Sequence, residues 1–217
     1  MPTSGTYLDA LSHLVVQNSD HADRVIRELS DDQVLWRPSP NRWSVAEWFE
    51  HLVAVGDDYQ MKIREPLLAA WHDSAFEDVP YRRTMMGRCA VFGTRLRTKR
   101  SRGRGHLVPP AATAMSAGRF LTQQSELLDL LDDAREVDLR RIPVGSPLSR
   151  LMGPCLGDVI EQLVVLQHSG VEQTNDVIAA PGFPGGQRVA RQTPRRSAPG
   201  RLTAAVGRAA AIAGVFR

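Results

Sequence analysis

Trp36-Arg37-Pro38-Ser39-Pro40-Asn41-Arg42-Trp43-Ser44-Val45-Ala46-Glu47-Trp48-Phe49-Glu50-His51-Leu52 is the stretch on which the fold turns. The residues before Pro38 and Pro40 are pushed out of helical geometry, so the segment opens as a rigid turn. Ser44 then has the form of an N-cap, with Glu47 three residues on as its capping-box partner. The helix it starts is predicted to run to about Trp71, with a bend near Pro66. At about 100° per residue, Val45, Trp48, Leu52, Val55 and Tyr59 form one apolar face. His51 lies on the margin of that face, in line with Glu47, Val55 and Asp58, inward enough to reach a site between helices. Trp36 and Trp43 flank the turn and supply apolar area to close the end of a bundle.

Upstream, Leu8, Leu11, Val15, Ala22, Val25, Ile26 and Leu29 recur at three- and four-residue steps and predict a helix over residues 6–29. His13 and His21 within it read as solvated or bundle-edge histidines. Ser30-Asp31-Asp32-Gln33 is a second capping box, starting a short turn from Asp31 to Leu35. Downstream, Phe120, Leu121, Leu127, Leu128, Leu131 and Ala134 predict a helix from about Thr113 to Glu136. A last helix is predicted from about Cys155 to Ile178, with Leu156, Val159, Leu163, Leu166, Gly170, Gln173 and Val177 inward.

Between the second and third long helices, residues 82–104 carry nine positive side chains and no acid. A connection of this length is an anion-binding lid, a nucleic-acid contact or a solvated loop. Only Tyr81, just before the run, and Phe92 within it could stack on bases, which ranks nucleic acid last. Residues 181–217 add seven arginines and no acid; taken from the net +3, they leave −4 on residues 1–180. The expected organisation is a bundle over 1–180 and a Gly/Pro/Arg-rich tail over 181–217, disordered apart from a short helix at Leu202 to Phe216. That helix has too few large apolar residues for a membrane surface.

With 217 residues, 42% hydrophobic and 24% charged, the chain is long enough to bury a real core. No apolar run approaches transmembrane length. The N-terminus lacks a basic region followed by an apolar one, so a cytoplasmic protein is expected. Cys89 and Cys155 share no metal-type spacing and are expected to be free thiols. No nucleophile triad, phosphate loop or dinucleotide fingerprint is present.

Leu29-Ser30-Asp31-Asp32-Gln33-Val34-Leu35-Trp36-Arg37-Pro38 and Trp43-Ser44-Val45-Ala46-Glu47-Trp48-Phe49-Glu50-His51-Leu52 resemble the opening of DinB/YfiT-like domains. Leu107-Val108-Pro109-Pro110 and Leu156-Gly157-Asp158-Val159-Ile160 are placed as that family would place them. The resemblance implies an all-α, up-down-down-up four-helix bundle, often a homodimer. It also implies a divalent metal such as zinc or nickel, held by one histidine of the second long helix and a His-x3-His pair of the fourth. Activities in the family include thiol S-transfer with low-molecular-weight thiols and metal-dependent hydrolysis. His51 matches the first ligand. Aligned through Leu156-Gly157-Asp158 and Gln173, the other two positions fall on Leu166 and Gly170, which have no ligating side chain.

His168 is expected on the outer face of the last helix with Glu161 and Glu172, turned away from His51. Asp58 and Glu47 are the nearest oxygen donors, and with His168 they are the secondary ligand candidates. Gly170 in place of a ligand is expected to open room between the helices. The leading expectation is a divergent member with a degenerate metal site that binds a small molecule in the inter-helix pocket. The alternative is a metal-dependent thiol S-transferase or hydrolase with a site rebuilt around His51.

Overall fold

The computed structural model describes residues 3–70, 80–85, 87–89, 112–144 and 154–185. The basic segment beyond Cys89 and the tail beyond Gly185, with the expectations placed on them, lie outside the described residues. Helix α1 is Ser4–Glu28, α2 is Asp31–Leu35, α3 is Val45–Ala70, α4 is Ser116–Asp133 and α5 is Leu156–Ile178. A 3-10 turn, Ala134–Glu136, extends α4.

The caps form as the sequence requires. Ser30 Oγ accepts from Gln33 N at 3.3 Å while Gln33 Oε1 accepts from Ser30 N at 2.8 Å. Ser44 and Glu47 make the same reciprocal pair at 3.2 and 2.8 Å. Each box satisfies backbone N–H groups that have no partner inside the first helical turn. Helix α3 continues through Pro66.

Cross-helix contacts give the direction of each helix. Tyr7, Asn18 and His21 of α1 bond Glu161, His168 and Thr174 of α5, so these helices run parallel. Glu50 meets Ser116 and Arg64 meets Glu126, so α3 and α4 are also parallel. Asp9 pairs with Arg135, just past α4, so α1 and α4 are antiparallel. The order is therefore up-down-down-up, with α1 and α3 each packed on both α4 and α5.

The core falls into two apolar clusters. One contains Tyr7, Leu8, Leu11, Ile63, Leu127, Leu131 and Ile160 at the end where α1 and α5 begin. The other contains Val25, Trp43, Trp48, Phe49, Phe120, Val171 and Val177 at the opposite end. Between them lies a belt of buried amides: Asn18, Gln60, Gln123, Gln124 and Gln167. A Cβ on Gly56 would lie 2.1 Å from Gln123 Oε1, so only glycine there lets Gln123 reach Val53 O at 2.8 Å.

After α4 the chain folds back on the start of α5. Val144 N donates to Pro154 O and Leu156 N to Ile142 O, at 3.1 and 2.8 Å. At the far end, Phe183 packs edge-on against Trp36 and Gln33 donates to Pro184 O at 2.7 Å. Among the described residues no helix is long and apolar enough to cross a membrane.

Candidate functional site

The capping box at Ser44 fixes the rotation of α3 and so the direction of His51, two turns on. The imidazole is half-buried against two indoles, its ring centroid 5.0 Å from Trp43 and 6.3 Å from Trp48. The indoles meet edge to face at 4.7 Å. Burial lowers the His51 pKa, which keeps the ring neutral near pH 7. Neither ring nitrogen has a hydrogen-bond partner among the described residues. Beside it, Trp43 is 4% exposed and its Nε1–H is buried without an acceptor among the described residues. A buried donor without a partner costs about 1–3 kcal/mol unless water or a ligand accepts from it.

The other ligand positions do not converge on His51. Leu166 is packed against the apolar cluster around Trp43 and Phe49. A Cβ on Gly170 would lie 2.5 Å from Leu52 Cδ2. The room expected from Gly170 is therefore already occupied by the residue next to His51. Glu47 is committed elsewhere: Oε2 caps Ser44 N and accepts from Arg37 Nε at 2.9 Å, and Oε1 pairs with the same guanidinium. Asp58 is exposed and paired with Lys62 at 2.6 Å. Among the described residues no group of three or more His, Cys, Asp or Glu side chains is arranged to hold a metal ion. These residues do not fit the three-histidine site.

The face of α5 expected to point outward is largely interior. Glu161 is fully buried, and His168 is half-buried with its Nδ1 2.9 Å from Asn18 Oδ1 on α1; only Glu172 is exposed. His21, expected to be solvated or at the bundle edge, is also buried. Its Nε2 lies 2.7 Å from Thr174 Oγ1, and its ring lies 6.3 Å from Phe49. Thr174 donates its hydroxyl proton to Val171 O, so His21 Nε2 is the donor to Thr174. Burial, and then the charge of Arg24, push the His21 pKa down to about 4.

A second polar cluster, at the start of α5, escaped the sequence reading. Asp158 Oδ1 accepts from Tyr81 OH and Thr84 N, both at 3.2 Å. Its Oδ2 accepts from Thr84 Oγ1 at 2.5 Å and from the Cys155 thiol at 3.2 Å. Glu161 Oε2 accepts from Tyr7 OH at 2.8 Å and from Arg83 Nε at 2.5 Å. Arg83, read from sequence as part of a basic loop, thus reaches in from the surface as the counter-charge of the buried Glu161 and ties residues 80–85 to the bundle. Burial pushes the Cys155 thiol up to about 11, so it stays protonated at neutral pH and is a poor nucleophile. Both cysteines are free thiols, Cys89 exposed and Cys155 buried. A separate groove between α3 and α4, lined by Arg64, Leu68, Glu126, Asp129 and Asp133, lies at the end of the bundle away from His51.

The DinB superfamily model matches residues 15–168, more than half of the chain. The chain belongs to the DinB superfamily. The matched span runs from within α1 into α5 and takes in His51 and Leu166. No curated protein and no solved structure matches the chain.

Proposed function

We propose that this DinB-superfamily chain binds a small molecule at His51 and Trp43 without the three-histidine metal site. The observation that carries the reading is the buried Trp43 N–H, unpartnered among the described residues, beside an imidazole whose nitrogens also lack partners there. Polar groups of this kind, set in an otherwise apolar wall of Trp43 and Trp48, are what orient a ligand in a largely hydrophobic site. The ligand would offer a hydrogen-bond acceptor to the indole, a group to pair with the neutral imidazole, and apolar surface against the rings.

A thermal-shift screen of small carboxylates, alcohols and low-molecular-weight thiols tests this. A compound that stabilises the wild type and loses its effect with Trp43→Phe or His51→Ala supports the reading. Compounds whose effect survives both substitutions contradict it.

The partnerless His51 nitrogens also favour a second reading, the metal-dependent thiol S-transferase or hydrolase. Its further ligands would have to come from outside the described residues, because Glu47, Asp58 and His168 are engaged elsewhere. Metal content, with zinc and nickel offered, separates the two readings.

A further inference from the structure

The buried amide belt forms a directed chain with one gap. Gln124 Nε2 donates to Gln167 Oε1 at 3.1 Å. Gln167 Nε2 donates to Gln123 Oε1 at 3.0 Å, and Gln123 Nε2 donates to Asp57 Oδ1 at 2.7 Å. At the other end, His168 Nδ1 lies 2.9 Å from Asn18 Oδ1, and since that oxygen only accepts, the imidazole donates. Every amide in the series therefore has the same polarity, giving at one end and receiving at the other.

Two atoms of the series have no partner among the described residues: the donor Asn18 Nδ2 and the acceptor Gln124 Oε1. Both side chains are fully buried. They sit at one level of the bundle, because their partners on α5, His168 and Gln167, are consecutive residues. One is a donor and the other an acceptor, so a hydroxylic molecule that accepts from Asn18 and donates to Gln124 completes the series.

We propose that a single buried water molecule occupies this gap between α1, α4 and α5 and closes a continuous hydrogen-bonded chain from His168 to Asp57. The site has the features that retain internal water: it is closed to solvent, polar, and flanked by groups that have no other partner. It also accounts for a polar layer lying between two apolar clusters. With the water in place, each amide is satisfied at both ends; without it, two buried groups are not.

A crystal structure at a resolution that orders water tests the proposal directly. The expected result is a density peak of one water within about 2.7–3.2 Å of both Asn18 Nδ2 and Gln124 Oε1. An empty gap, a direct bond between the two amides, or a peak touching only one of them overturns it. In solution, the Asn18 side-chain amide should show a cross-relaxation peak to a long-lived water, lost in Gln124→Leu. The stability losses of Asn18→Leu and Gln124→Leu should exceed that of the double variant when summed, since each single change strands the other group; simple additivity contradicts the bridge. If the variants fail to fold, the wild-type density decides alone.

Discussion

Trp43 and His21 show how differently a polar ring can be held inside one bundle. The Trp43 N–H is buried without an acceptor among the described residues. Trp43→Phe keeps most of the ring packing and removes the stranded donor, so the ligand-free protein should lose less than about 1 kcal/mol, or gain slightly. The same variant should bind the wild-type ligand at least about tenfold more weakly, because one hydrogen bond in a dry site is worth roughly 1.5 kcal/mol. Chemical denaturation and calorimetric titration on the two proteins check both parts.

His21 is buried and satisfied by Thr174, with its pKa near 4. Its ordinary value in an unfolded chain is about 6.5. Above that value both states hold the ring neutral and its contribution to stability is complete. As pH falls below 6.5 the unfolded chain takes up the proton first, so stability declines until the folded ring titrates near 4. The urea midpoint should therefore drop between pH 6.5 and 5, and drop less in His21→Gln; an identical slope in the two proteins contradicts the assignment.

At the scale of elements, Gly56 and Gly170 are places where a missing side chain is used by a neighbour. Gly56→Ala drives a methyl into Gln123, breaking its bond to Val53 O, and should cost about 1–3 kcal/mol in the unfolding free energy. Gly170 is filled by Leu52. Placing histidines at both positions, Leu166→His with Gly170→His, should destabilise the protein by about 1–3 kcal/mol and bind no zinc. Adding Leu52→Ala should relieve the clash and allow zinc to bind, read by equilibrium dialysis; tight zinc binding by the double variant alone contradicts this account of the site.

The elements themselves were largely legible. Ser30 with Gln33 and Ser44 with Glu47 are local signals, set by atoms three residues apart, and both boxes formed where they were read. The rotation of α5 was less so. One inward stripe was drawn through Leu163 and Gly170, but α5 occupies a corner and packs on both α1 and α3. Its α1-facing side therefore carries the buried Glu161 and the half-buried His168, paired to residues some 150 positions earlier in the chain. Glutamine, histidine and glutamate give no local hint that such a partner exists. The role of Arg83 is opaque in the sequence for the same reason: its counter-charge lies on a helix 78 residues away.

For the whole molecule, the two apolar clusters and the amide belt make a DinB-type bundle in which the positions aligned with the expected histidine pair, Leu166 and Gly170, are taken up by apolar packing. Leu166 packs with the aromatics, Leu52 fills the space at Gly170, and His51 keeps its place beside Trp43. That Leu166 and Gly170 carry no ligating group is legible in the sequence, whereas the packing of Leu52 against Gly170 is not, since it depends on a contact between helices. The central claim is that His51 serves a small molecule and not a resident metal. It is tested most directly by the metal content of the purified full chain, wild type beside His51→Ala, after zinc and nickel are offered. The account predicts far less than one metal per chain in both proteins, with no difference between them. One equivalent of zinc or nickel in the wild type, lost in His51→Ala, would contradict it.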